Sequence, residues 1–224
     1  MISERIDRIK QTLPEGVRLV AVSKYHPASM IQEAYDGGQR IFGESHVQEL
    51  VQKYDILPKD IQWHFIGHLQ TNKVKYIAPF VSLIHAVDSE HLLREIDKQA
   101  KKCGRIIPVL MQVHVAKEET KFGFAPEDLD AHNLSQLVLP HVRVRGLMGM
   151  ASNTDDKERV RADFRAVRSF FRELKQLAFS DKPYFDTISM GMSHDYLLAI
   201  EEGSTMVRIG SSIFGARDYS KIKK

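Results

Sequence analysis

The chain holds a single cysteine, Cys103, among 224 residues, so no internal disulfide can form. A reducing compartment is the natural setting for such a chain, and a cytoplasmic protein is expected. Lys101, Lys102 and Arg105 surround Cys103 in sequence, but the thiol falls at an expected helix end and reads as structural. Long apolar runs are missing too, and no segment approaches the length that spans a bilayer. Charge enters at once in Met1-Ile2-Ser3-Glu4-Arg5, so no secretory signal is expected. Nor is there an excess of one charge: 32 basic and 29 acidic residues leave a formal +3. That balance argues against nucleic acid or membrane as a partner. No Ser/Pro-rich linker or composition shift divides the chain, and beyond the short basic tail Lys221–Lys224 there is no low-complexity segment. One domain over residues 1–224 is expected.

What is present is a regular alternation. Runs dense in Val, Ile, Leu and Phe predict strands at Val17–Ser23, Arg40–Phe42, Gln62–Ile66, Val81–Ala86, Ile106–Val113, Val142–Met148, Phe185–Ser189 and Met206–Ile209. Helical patterns fill the intervals at Ala28–Tyr35, Val47–Tyr54, Asn72–Ile77, Glu90–Lys102, Glu127–Leu137, Lys157–Ala178 and Asp195–Glu201. Ile2, Ile6, Ile9 and Leu13 share one face of a further helix at the N-terminus. Pro27, Pro126 and Ser89 mark helix starts, while Gly37-Gly38, Gly104 and Gly203 mark stops. Strands joined by helices form a parallel sheet, and eight of them close a barrel. The expected fold is therefore α/β, a single (β/α)8 TIM barrel with an extra N-terminal helix. An open doubly wound sheet is the competitor, but its Gly-x-Gly-x-x-Gly fingerprint is absent: the first turn reads Ser23-Lys24-Tyr25-His26-Pro27.

Barrel chemistry sits at the C-terminal ends of the strands. Lys24 stands there after the first strand. A lysine at the edge of an apolar core is partly desolvated, which favours the neutral amine and Schiff-base chemistry; a lysine snorkelling to solvent is the plain alternative. After the seventh strand comes Ser189-Met190-Gly191-Met192-Ser193, where Gly191 allows close backbone approach and Ser193 can cap the next helix. After the eighth comes Arg208-Ile209-Gly210-Ser211-Ser212. Two Gly/Ser turns after strands seven and eight match the usual phosphate site of this fold. Met148, Met150, Met190 and Met192 read as core filler or as packing for a bound ring. Arg208 could donate to a ring nitrogen and, because it keeps its proton, hold that nitrogen unprotonated. A salt-bridged arginine is the alternative. His64 and His68 lie four apart on a strand and turn, with no ligand set nearby, so no metal site is expected and His64 reads as a hydrogen-bonded residue at the barrel mouth. Lys121, in a charged loop after strand five, could bring a second amine.

Together Ala21-Val22-Ser23-Lys24, Phe42-Gly43-Glu44, Gln48-Glu49, Trp63-His64-Phe65-Ile66-Gly67-His68-Leu69-Gln70, Ser189-Met190-Gly191-Met192-Ser193, and Arg208-Ile209-Gly210 running to Ile213-Phe214-Gly215 resemble the pyridoxal phosphate homeostasis proteins, relatives of the N-terminal barrel of alanine racemase. The resemblance covers nearly the whole chain. It implies that pyridoxal 5′-phosphate forms an internal aldimine on Lys24. It further implies that Ser189, Gly191, Ser193, Gly210 and Ser211 surround the phosphate, that Met192 also lies at the cofactor, and that Arg208 faces the pyridine nitrogen. Two positions depart from the pattern: Ser45 stands where Asn usually follows Gly-Glu, which shortens or removes a contact near the ring, and Ser211 where Thr is common.

The resemblance implies a carrier that binds the cofactor and related vitamers reversibly, limits its free level and hands it to dependent apoenzymes, with no catalytic residues of its own. A single-domain amino-acid racemase would use the same residues. It also needs a second proton-transfer group, which in the resembling racemases is a tyrosine from a further β domain. The chain ends soon after strand eight, so no such domain is expected, and a monomer follows. An arginine at the ring nitrogen weakens the ring as an electron sink. A Schiff-base aldolase acting on a phosphorylated sugar is disfavoured by the position of the lysine and by the full motif set.

Overall fold

The computed structural model describes residues 1–115, 123–124, 134 and 137–216. Eight parallel strands close a barrel in sequence order: β1 (Arg18–Val22), β2 (Ile41–Glu44), β3 (Gln62–Phe65), β4 (Leu83–Val87), β5 (Ile107–Val113), β6 (Val142–Gly149), β7 (Thr187–Ser189) and β8 (Met206–Ile209). Closure is made by β1 and β8, which run in register from Arg18 opposite Met206 to Ala21 opposite Ile209. The helices around it are α1 (Ile2–Thr12), α2 (Ala28–Asp36), α3 (Val47–Ile56), α4 (Val74–Ile77), α5 (Glu90–Lys102), α6 (Lys157–Leu177), α7 (Tyr196–Glu201) and α8 (Ser211–Phe214). The expected barrel and its N-terminal helix are both present. The helix expected over Glu127–Leu137, together with Lys121 and the tail lysines, lies outside the described residues. A helix over Ser211–Phe214 was not expected.

Alternation along each strand divides the barrel wall into two faces. Inward residues Val20, Leu83, Ala86, Leu110, Met148 and Met206 pack as a small interior cluster. Outward residues such as Leu19, Ala21, Phe42, Trp63 and Phe65 join the helices in the main core. A leucine or phenylalanine among them, buried outright, contributes about 1.5–3 kcal/mol by leaving water. A second outer core lies under α6, where Phe164, Val167 and Leu174 meet Phe185 and Ile188. Phe185, expected to begin β7, precedes it: its ring stacks on Phe179 at 4.2 Å and Phe171 at 4.7 Å. Aromatic packing below the strand thus explains its apolar signal. Ser89 caps α5 by accepting from the Leu92 amide at 3.3 Å, as its sequence signal suggests. Cys103 is exposed at the C-terminal end of α5. No helix of the described residues is long and apolar enough to cross a membrane. At the N-terminal ends of the strands a cavity of about 480 Å³ opens beside Arg18, Arg40 and Gln62, at the far end of the barrel from Lys24.

Candidate functional site

The site grows from the strands that meet at barrel closure. On β1, Val20 faces inward and pairs with Arg208 on β8. Lys24 stands two residues beyond the end of β1, in the turn at the same end of the barrel, and is half-buried.

Arg208 is buried and anchored by uncharged acceptors. One terminal nitrogen donates to the Ser189 carbonyl at 2.8 Å and to the Ser189 hydroxyl at 2.7 Å; the other donates to the Gly149 carbonyl at 3.1 Å. Burial pulls its pKa down to about 10, and the charge of Asp195 offsets this only in part. Three of these contacts still leave guanidinium N–H groups for a further acceptor.

The Ser189 hydroxyl also lies 3.1 Å from His85 Nδ1, and His85 Nε2 lies 3.0 Å from His64 Nδ1. Arginine can only donate, so the Ser189 oxygen accepts from Arg208. The hydroxyl keeps a proton and a second lone pair, so its contact with His85 Nδ1, and that of His85 Nε2 with His64 Nδ1, run in the direction the two ring tautomers set. Burial, reinforced by Arg18, pushes His64 down to about 3, and burial with His64 and Arg208 nearby takes His85 well below its ordinary value. Sequence reading set His64 at the mouth; it is instead buried inside the barrel, because an inward position on β3 points along the radius. His85 was missed, though a lone polar residue inside the apolar run Leu83–Val87 was its available signal. His68, read as lacking a carboxylate nearby, meets Asp88 at 2.9 Å across the β3 and β4 ends.

The two Gly/Ser turns do come together. Ser193 Oγ accepts from the Gly210 amide at 3.2 Å, linking the turn after β7 to the turn after β8. Ser193 therefore does not cap α7. Asp195 stands at that position and accepts from the Met192 amide at 2.6 Å. Gly191 has φ +91°, and a Cβ there would stand 2.7 Å from Ala199 Cβ and 2.9 Å from Tyr196 Cα. Its glycine is demanded by the close approach of α7. Met192 and Ser193 are half-buried, while Ser211 and Ser212 are exposed at the start of α8. Ser45 sits at the end of β2, where its backbone packs on Gly67 so closely that no Cβ would fit between them.

Behind Lys24 is a buried ionic group that sequence reading overlooked. Lys53 Nζ donates to Glu44 and Glu49, each at 2.7 Å, and to the Ser23 carbonyl at 2.9 Å. Ser23 Oγ donates to the same Glu44 oxygen at 2.6 Å. The other Glu44 oxygen is buried with no partner, and burial raises its carboxyl to about 7 against the pull of Lys53. The i,i+4 spacing of Glu49 and Lys53 was visible in sequence; that both turn toward the strand was not.

A family model described as the alanine racemase N-terminal domain matches residues 1–218. A pyridoxal phosphate homeostasis protein of Aquifex aeolicus (strain VF5) is 43% identical over 222 residues, which cover 97% of this chain and 96% of that protein. One from Escherichia coli (strain K12) is 40% identical over 212 residues, covering 93% and 89%. This chain belongs to the pyridoxal phosphate homeostasis protein family. Among solved structures, PipY of Synechococcus elongatus PCC7942 with PLP bound matches at 40% identity and TM-score 0.87, across 96% of this chain and all of that one. The alanine racemase of Clostridium difficile 630 matches at TM-score 0.78 and 14% identity, covering 58% of that chain, a likeness of fold alone. Members of the homeostasis family thus share the whole length of this barrel, whereas the racemase barrel is one part of a longer protein.

Proposed function

We propose that this protein binds pyridoxal 5′-phosphate reversibly through Lys24 and acts as a carrier and buffer of the cofactor. When bound, pyridoxal phosphate would supply an aldehyde, and the Lys24 amine would be the group that holds it reversibly. The residues present fit that group. Lys24 offers an amine at the edge of the core, and the joined turns of Gly191–Ser193 and Gly210–Ser211 offer hydroxyls at the mouth. Arg208 offers a buried cation, bonded to neutral acceptors, beneath them. Its role is to donate to the ring nitrogen and keep it unprotonated. We assign Ser189 to holding Arg208 rather than to gripping the phosphate, since its hydroxyl is engaged at both ends.

What supports the carrier reading is that homeostasis proteins match this chain over nearly the full length of both, whereas an alanine racemase carries the same barrel as 58% of its chain. An arginine donating to the ring nitrogen would weaken the ring as an electron sink and agrees with that reading. Transfer to dependent apoenzymes, action as a monomer and residence in the cytoplasm belong to the same proposal. The test is a visible absorbance titration of the wild type and Lys24→Ala with pyridoxal phosphate, followed by D- and L-alanine with chiral analysis. A band in the wild type alone, with no interconversion of the alanines, is expected. A lasting band in folded Lys24→Ala would overturn the anchor, and rapid interconversion by the wild type would make the protein a racemase.

A further inference from the structure

The turn carrying Lys24 is strained, and its restraint comes from a helix outside the barrel. Residues Ser23 to His26 form a four-residue turn closed by the His26 amide donating to the Ser23 carbonyl at 3.1 Å. Tyr25, third in the turn, has φ 66°, and among the described residues it is the one non-glycine with positive φ. Lys24, second, therefore has negative φ. A single positive φ at the third position defines a type II turn, which reserves that place for glycine or asparagine. A tyrosine there persists only where its surroundings over-determine it.

Those surroundings include two residues of α3, beside His46 just before it, whose Nε2 lies 3.3 Å from the Tyr25 hydroxyl. Glu49 Oε1 accepts from the Tyr25 amide at 2.7 Å. Lys53 holds that same Glu49 oxygen and the Ser23 carbonyl. The peptide between Lys24 and Tyr25 is the one that differs by half a rotation between type I and type II turns. In the type I form the Tyr25 N–H would leave Glu49, and the peptide following Lys24 would flip. Glu49 thus selects the strained form, and Lys53 fixes the carbonyl that begins it.

We infer that Glu49 and Lys53 are positioning residues for Lys24: they set the peptides on either side of it and so aim its amine into the barrel. The inference rests on Lys24 as the cofactor anchor.

The experiment titrates full-length protein with pyridoxal phosphate by visible absorbance and records the thermal midpoint of each variant without cofactor. Glu49→Ala is expected to bind about tenfold more weakly, the loss that corresponds to releasing one strained residue. Adding Tyr25→Gly to Glu49→Ala is expected to recover most of that affinity, because glycine enters the left-handed region without the carboxylate's help. Glu49→Gln keeps an acceptor and remains informative where Glu49→Ala does not fold; it is expected to bind about threefold more weakly, a difference Tyr25→Gly erases. Unchanged affinity in Glu49→Ala overturns the inference, as does a loss that Tyr25→Gly leaves in place while the thermal midpoint falls in step. A wild type that yields no band removes the anchor reading itself, an outcome separable from the other two.

Discussion

Arg208 on β8 reaches across to Ser189 on β7 and grips it twice, at the carbonyl oxygen and at the hydroxyl, with distances of 2.8 and 2.7 Å. The pair fixes the depth at which a positive charge stands under the barrel mouth. Ser189→Ala removes the hydroxyl but leaves the carbonyl and Gly149 as acceptors. It is expected to cost about 1–3 kcal/mol in urea unfolding, since an N–H of Arg208 and His85 Nδ1 both lose a buried partner. Cofactor affinity is expected to fall severalfold while the visible band still forms. Complete loss of the band would mean that Ser189 touches the cofactor directly.

The line of contacts from Ser189 to His85 to His64 couples the tautomers of the two rings. Nitrogen-15 spectra are expected to show both rings neutral, each with a single protonated nitrogen. Neither ring should take a proton between about pH 8 and 5, the range in which exposed histidines titrate. The sign for stability follows from the lowered pKa. The unfolded chain binds protons that the folded chain refuses, so this contribution is complete above the ordinary value of 6.5 and is lost as pH falls toward the folded value of about 3 for His64. Titration of either ring near neutrality would break the chain of bonds as described.

Glu44 works in the opposite sense. Burial raises its carboxyl from 4.5 to about 7, so the folded chain holds a proton that the unfolded chain releases. Its contribution is full below 4.5 and disappears as pH rises through about 7. Glu44→Gln is expected to flatten that part of the profile of urea midpoint against pH. If the variant and the wild type give parallel profiles across this window, Glu44 is ionised throughout.

Gly191→Ala places a methyl group against Ala199 and Tyr196 at a backbone angle of +91°. The cost expected is about 1–3 kcal/mol for the angle, with overpacking added to it. Thermal unfolding measures the loss. Because Ser193 in the same turn holds the Gly210 amide, cofactor affinity should fall as well. A variant as stable as the wild type would show that α7 shifts freely, and that the two turns are not braced by it.

The barrel was legible because each strand buried on both faces leaves a continuous apolar run, and because glycine, proline and serine punctuate the helices. The places of Lys24, Arg208 and the two Gly/Ser turns in the fold were legible for a related reason: they stand at or just past strand ends, which are easy to find once strands are placed. The turn after β7 was read in outline but not in detail. Ser193 looked like a helix cap, yet its hydroxyl went to Gly210, since a hydroxyl in a turn takes whichever amide the facing loop presents.

His85, Glu44 and Lys53 were not legible as a site. Each is a polar residue in an apolar or ordinary helical pattern, and sequence alone does not say whether such a side chain meets a partner. His85 finds Ser189 across 104 positions of sequence only because barrel closure brings inward residues of separate strands together. Glu49 governs the Lys24 turn only because α3 packs back over the end of β1. Local pattern determined the strands, the helices and the place of Lys24 just past β1, since those depend on neighbours in the chain. Tertiary structure decided which hydroxyl faces Arg208, which histidines stay neutral and which carboxylate holds Tyr25, because hydrogen bonds and burial are set by groups distant in sequence.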